Sequence, residues 1–523
     1  GQPAAKRSDA LVPHGDHPSQ AGRARRPVTL ARASLLGLAL LFPGWGQSQT
    51  PGPLEFKPCR VDGLGREAKC AWLARPLNPD AANQKDAEIR IRVVVIPARA
   101  RIPKSDPVFF LAGGPGQSAI ELAPLLQGRF GRLLNRRDLV LVDQRGTGQS
   151  APLHCPMVSP TRPLSLAVDP QEIQKEIEQC LKAAQSLPYG DLTAFTTTQA
   201  MHDLDAVRAA LGAEQINLIG GSYGTRAGLE YLRLYPNRVR RLVLDGLAPP
   251  DGALPLSMGA DARAALLNQF DRCESDTTCR THYPKLREQW ARLLEKPQIT
   301  INGRHPVTGK PERFSMPSAW LWEFGRLALY SPEIASTLPH AISEAALGNW
   351  SPFLGVLSLM NTHPRKPMAA AMHFAVLCAE DMPLIEGRVP GVSAPQFTGE
   401  AFAAAKVGLE RYEQACRIWP RGRVDPGFYE MKPSPAPVVL LSGGADPVTP
   451  PHHGARVAQK LGDRARHEVV LNAGHGVMGL PCMRDALFEF INADTDANAQ
   501  SVRLDCARNL PAPVPFISVG AQP

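Results

Sequence analysis

The chain has 523 residues, 44% of them hydrophobic, with 58 Lys plus Arg against 49 Asp plus Glu. That is enough apolar material for a large core and more than one folding unit, and it excludes a disordered or fibrous chain. Of the net charge of +9, residues 1–50 supply six basic and two acidic side chains, leaving about +5 for the rest, with no arginine-rich helix or aromatic-interleaved basic patch to recruit nucleic acid.

Taken in chain order, Arg23, Arg25, Arg26 and Arg32 precede an apolar stretch from Ala33 to Phe42, and small and polar residues follow. This is the order of a secretory signal, so residues 1–49 are expected to be a signal peptide and N-terminal extension and the protein to be periplasmic or secreted. Ten apolar residues are too few to span a bilayer, and no stable membrane insertion is expected once the signal is removed. Ten cysteines agree with export. They follow one another as neighbours, Cys59 with Cys70, Cys155 with Cys180, Cys273 with Cys279, Cys378 with Cys416 and Cys482 with Cys506. The even count points to a disulfide framework whose connectivity the sequence leaves open. No CxxC or HExxH motif occurs, so neither a metal nor another cofactor is expected.

The stretches 88–98 (EIRIRVVVIPA), 107–118 (PVFFLAGGPGQS) and 138–150 (DLVLVDQRGTGQS) each read as a strand, the last two ending in glycine-rich loops. Met201, Leu204, Val207 and Leu211 recur at helical spacing between threonines suited to an N-cap and the stop at Gly212. The strand QINLIG, a helix through LEYLRLYP and the strand VRRLVLDG complete an alternating pattern, which predicts an α/β fold with a mostly parallel sheet flanked by helices. Residues 248–430 break the rhythm with helical segments, one short β-like piece (QITING) and proline-containing loops. They are expected to form a large helical cap between a first core part at 50–247 and a second at 431–523, where PVVLLSGGADPVTPP and RHEVVLNAGHG restore the strand-and-loop pattern.

GGSYG matches GxSxG at Gly220, Ser222 and Gly224, between a strand and a helix, where glycines permit the strained turn that lifts a serine hydroxyl above a sheet. A serine hydroxyl needs a base, itself oriented by an acid, and in this fold class the chain order is nucleophile, acid, base. Asp446 after VVLL suits the acid and His475 after EVVL the base, 29 residues apart. Asp143 precedes Ser222 in the chain, His452 and His453 follow Asp446 too closely to belong to a later strand, and His202 falls on a helix face. Asp245 stands as the alternative acid. Oxyanion donors are expected from the Tyr223 amide and from the backbone at Gly113 and Gly114.

GGPGQS, DQRGTGQS, GGSYGTR, LDG, GADPVTP and GHG, in this order from about Cys59 to Cys506, resemble the α/β-hydrolases of the tripeptidyl and prolyl aminopeptidase group, especially its secreted bacterial branch. The resemblance implies Ser222 as nucleophile, Asp446 as acid and His475 as base. It also implies cap carboxylates that bind the substrate's free α-amine, for which Glu380 and Asp381 in VLCAEDMP are the candidates. Prolyl aminopeptidases usually have a histidine where this chain has Ala112 and an aromatic where it has Gly221, so the resemblance leans to the tripeptidyl type. The expected substrate is a peptide or small acyl compound. An esterase or amidase on the same triad, a non-catalytic binding protein of the same fold, and any oligomeric state remain open.

Overall fold

The computed structural model describes residues 54–80, 87–361 and 368–518. The expected signal segment lies outside them.

Among the described residues eleven strands form: β1 (Lys57–Cys59), β2 (Ala68–Pro76), β3 (Glu88–Ile96), β4 (Val108–Leu111), β5 (Leu139–Val142), β6 (Ile216–Gly221), β7 (Val239–Asp245), β8 (Gln298–Arg304), β9 (Pro311–Pro317), β10 (Val438–Gly443) and β11 (Ala465–Val470). Nine make one sheet in the order β1-β2-β3-β5-β4-β6-β7-β10-β11. From β5 to β11 every pairing is parallel, whereas β1, β2 and β3 join antiparallel at one edge.

The unbroken apolar runs follow from burial on both faces of the sheet. Phe109, Leu218, Leu242 and Leu440 pack with Ile177, Met201, Leu204 and Leu229 from the helices Pro170–Gln185, Thr197–Ala210 and Tyr223–Leu234. Their sequence neighbours Phe110, Ile219, Val243 and Val439 point the other way, onto Leu126 and Phe130 of the helix Ala123–Phe130 and Leu487 and Phe490 of Pro481–Asn492. Thr196 caps the helix Thr197–Ala210 by accepting from the Gln199 amide.

Between β7 and β10 the chain adds nothing to this sheet. It forms helices around a separate apolar cluster that includes Phe270, Trp290, Leu321, Trp322 and Trp350, with Trp320 and Phe324 partly buried against it. QITING is one arm of the hairpin β8-β9. Its partner PERFSMP is half polar and flanked by prolines, so taken alone it carries no strand signal. All five neighbouring cysteine pairs are disulfides. Among the described residues, no helix is long and apolar enough to cross a membrane.

Cys378–Cys416 has the longest separation of the five, 38 residues, and joins the helices Ala370–Glu380 and Gly399–Ile418. Replacing both cysteines with alanine is expected to lower unfolding free energy by about 3–4 kcal/mol through the restored freedom of the unfolded chain. A denaturant titration under oxidising conditions measures it.

Candidate active site

Four loops at the carboxyl ends of β4, β6, β10 and β11 supply the residues expected to act together, as open parallel sheets place their functional groups. β6 ends at Gly221 and a helix begins at Tyr223, leaving Ser222 alone in the turn with φ 54° and ψ −123°. A side chain on either flanking glycine would collide with backbone: a Cβ at Gly220 meets the Gly224 carbonyl, and one at Gly224 meets that of Leu111. A residue with a Cβ at positive φ persists only where its surroundings hold it there. Here the Ser222 amide donates to the Asp245 carbonyl at 2.9 Å.

Asp446 is buried, and its carboxylate is saturated on three sides. Oδ1 accepts from the amides of Val448 and Thr449, each at 2.9 Å, and Oδ2 accepts from Thr449 Oγ1 at 2.7 Å. Oδ2 also lies 2.8 Å from His475 Nδ1, which leaves Nε2 as the free ring nitrogen. Burial alone would raise the Asp446 carboxyl, but the His475 ring and these donors outweigh it and hold the acid below its ordinary range. The same pairing works on His475 in the opposite sense. Burial would lower the ring, and the Asp446 carboxylate holds it above the ordinary imidazole value. The His475 side chain keeps 16% of its surface exposed, and Ser222, Gly113 and Gly114 are half-buried.

Ser222 Oγ makes no hydrogen bond to the His475 ring; scaffolding they share brings the two loops together. The Asp245 carboxylate accepts from the amides of Val477, at 2.8 and 3.0 Å, and Met478, at 2.8 Å, just past His475. Asp245 is therefore not the acid of the triad: it binds the backbone of the histidine loop rather than the ring. Burial, only partly offset by those amides, pushes it up to about 6. Asp143, also buried, accepts from Ser118 Oγ at 2.6 Å and from the amides of Ile120 and Gln149, tying the loop after β4 to the loop after β5.

On the oxyanion side, Tyr223 heads its helix, where an amide has no partner within the helix. The Gly113 amide already donates to Gln117 Oε1 at 3.2 Å. That leaves the Gly114 and Tyr223 amides as the available donors, and Gly113 is corrected to a spacer, where an added Cβ would fall 3.2 Å from Ser222 Cβ.

Glu380 and Asp381 are corrected as well. Both are fully buried. Asp381 takes a two-point contact from Arg226, at 2.7 and 2.9 Å, plus the Leu254 amide at 2.9 Å. Glu380 accepts from the Thr197 amide at 2.7 Å and from Thr197 Oγ1 at 2.9 Å, and that hydroxyl also meets Tyr223 OH. A substrate amine finds no open oxygen there. The acids brace the helix that carries Ser222 instead.

A second set of groups at the histidine has no signal of its own in the sequence. The Tyr330 ring lies edge-on to His475 with centroids 5.2 Å apart, and its carbonyl accepts the His475 amide at 3.1 Å. Arg326 donates to Tyr330 OH at 3.0 Å and pairs with Glu323 at 2.9 Å. All three belong to SAWLWEFGRLALY, whose tryptophan and leucine pattern reads as cap packing and hides the polar edge of the helix.

A family model described as "alpha/beta hydrolase fold" matches residues 106–273, and one described as "TAP-like protein" matches residues 402–500. The chain has the α/β-hydrolase fold. Among its relatives, the serine protease Hip1 of Mycobacterium tuberculosis is 26% identical over 450 residues, covering 78% of this chain and 83% of that protein. The tripeptidyl aminopeptidase of Streptomyces lividans is 29% identical over 214 residues, 38% of each chain. A probable proline iminopeptidase of Streptomyces coelicolor is 30% identical over 211 residues, covering 39% of this chain and 51% of that one. This hydrolase is thus an enzyme of the group whose relatives are named as serine peptidases.

Because Asp245 binds its proton more tightly folded than unfolded, its contribution to stability is full below about pH 4 and is lost as pH rises through about 6. Asp245→Asn is expected to be less pH-dependent than the parent over that window, and denaturant titrations at pH 4, 5, 6 and 7 measure the difference in slope.

Proposed function

We propose that the hydrolase is an exported serine aminopeptidase that releases N-terminal residues or short peptides of tripeptidyl or prolyl type. Ser222 Oγ attacks the scissile carbonyl as His475 Nε2 takes its proton. Asp446 holds the ring by Nδ1, and the amides of Tyr223 and Gly114 receive the oxyanion. His475 then returns the proton to the leaving amine, and water attacks the acyl-enzyme through the same histidine. The observation that carries this reading is the Asp446–His475 contact of 2.8 Å beside a half-exposed serine held at positive φ on a strand-to-helix turn. Export is supported by the signal-like pattern of residues 1–49 and by five disulfides.

Restriction to the N-terminus requires a carboxylate near the site, and with Glu380 and Asp381 sealed, Glu323 takes that role in segment 248–430, which acts as the cap. Burial would raise the Glu323 carboxyl, but Arg326, which contacts both of its oxygens, holds it below the ordinary range; it keeps 28% of its side chain exposed, and an ammonium would share it with Arg326.

Peptidyl anilides with free and blocked amines test the reading. Blocking the amine is expected to abolish cleavage, and Glu323→Gln to raise KM for the free-amine substrate roughly tenfold, the effect of about 1.4 kcal/mol of lost binding. Equal cleavage of blocked and free substrates would make the enzyme an esterase or amidase instead.

His475 has to be neutral to act as base, and its pairing with Asp446 raises its affinity for a proton. The acidic limb of kcat/KM is therefore expected to have its midpoint above the value of a free imidazole, about 6.5. A fluorophosphonate probe should label the parent with the same limb and leave Ser222→Ala unlabelled.

A further inference from the structure

The helical segment meets the sheet domain at a second junction, built from residues the chemistry above does not use. Asp261 lies on the helix Leu254–Ser275, and His452 and His453 are consecutive near the start of the helix Pro451–Leu461, which follows the Asp446 loop. His453 Nε2 stands 2.8 Å from Asp261 Oδ2, and His452 Nε2 stands 3.5 Å from Asp261 Oδ1. One ligand atom from each of the three residues lies within 4.8 Å of the others.

Hydrogen bonding accounts for only half of this arrangement. His453 satisfies one carboxylate oxygen, while His452 approaches the other at a separation too long for a good hydrogen bond. Three donors gathered this closely suit an ion. Bonds of about 2.0–2.1 Å in a tetrahedral shell put neighbouring donors about 3.3 Å apart; each imidazole stands near that distance from one oxygen of Asp261, and one ligand atom from each of the three residues lies within 4.8 Å of the others. Two imidazoles with one carboxylate favour zinc and its neighbours over magnesium or calcium, which prefer all-oxygen shells.

Burial is graded as such a site needs. The side chains of His453 and Asp261 are 4% and 8% exposed, whereas His452 is 62% exposed, leaving one side open for water as a fourth ligand. The nearby cation is already neutralised: Arg456, one turn along the same helix, is paired with Asp251 at 2.9 Å.

We propose that Asp261, His452 and His453 bind a divalent transition-metal ion of the zinc class, which fastens the helix Leu254–Ser275 to the helix Pro451–Leu461 beside the Asp446 loop. No zinc motif marks the site in the sequence, because the histidines are adjacent and the third ligand lies 192 residues before His453.

The untagged full chain, stripped with a chelator, is titrated with cobalt(II) and then zinc(II), following the cobalt visible absorption, bound metal per chain and Tm. The expected result is one cobalt per chain, displaced by zinc, and a Tm that rises with zinc concentration. His452→Gln, at a surface position that folding does not need, and Asp261→Asn are each expected to weaken binding roughly tenfold or more and to remove the Tm response. No bound cobalt in the parent, or equal uptake by His452→Gln, would overturn the site.

Discussion

The site depends on Asp245. Its backbone carbonyl accepts the Ser222 amide, and its side chain accepts the amides of Val477 and Met478. One residue at the end of β7 thus fixes the turn after β6 and the loop after β11, although β10 separates β7 from β11 in the sheet. Leucine in its place would leave the Val477 and Met478 amides without their acceptor, and a buried amide without an acceptor costs about 1–3 kcal/mol. Two backbone donors held in place are also what allow a carboxylate to remain here despite burial that drives it toward its neutral form.

A second buried charge system fixes the helix that Ser222 leads. Arg226 sits one turn into that helix with no exposed surface, and it reaches Asp381 and Glu380 at the end of the helix Ala370–Glu380. Burying an ion pair is worthwhile only where geometry and further hydrogen bonds are good. The two-point Arg226–Asp381 contact meets that condition, the Leu254 amide adds a bond to Asp381, and Thr197 gives Glu380 its amide and its hydroxyl. Burial pushes Glu380 up to about 7, with Arg226 and the Thr197 donors opposing it. What looks in sequence like a pair of free acids is the counter-charge of an arginine in the motif GGSYGTR.

That contrast explains which parts of the molecule are legible in the sequence. The parallel strands are, because burial on both faces writes them as short unbroken apolar runs: VFFL, LVLV and VVLL each coincide with a strand. Ser222, Asp446 and His475 are placed by local context, each just beyond such a run, and the structure brings them to the same end of the sheet. Roles set by a partner distant in the chain are not legible. Glu380 and Asp381 meet Arg226 across about 155 residues, and Asp245 meets Val477 across 232. The strand PERFSMP is hidden for a related reason, since its only partner is QITINGR and its own alternation is weak.

Ser222 makes no bond to His475 although every group around the two is held, and this follows from what each loop is tied to. The serine is fixed through backbone, by its amide on Asp245 and the close packing of Gly220 against Gly224, so its hydroxyl retains rotational freedom. The histidine is fixed by its ring, with Nδ1 on Asp446 and the ring edge on Tyr330, so Nε2 has one direction. The histidine ring is thus fixed in direction while the serine hydroxyl can turn. Tyr330 makes that orientation a property of both parts of the molecule, because it belongs to the helical segment between β7 and β10 while His475 belongs to the sheet domain. The same segment also reaches the helix that Ser222 leads, where Asp381 pairs with Arg226 and the Ala248 amide donates to Thr225 Oγ1 at 2.9 Å, so it contacts the loops of both the serine and the histidine.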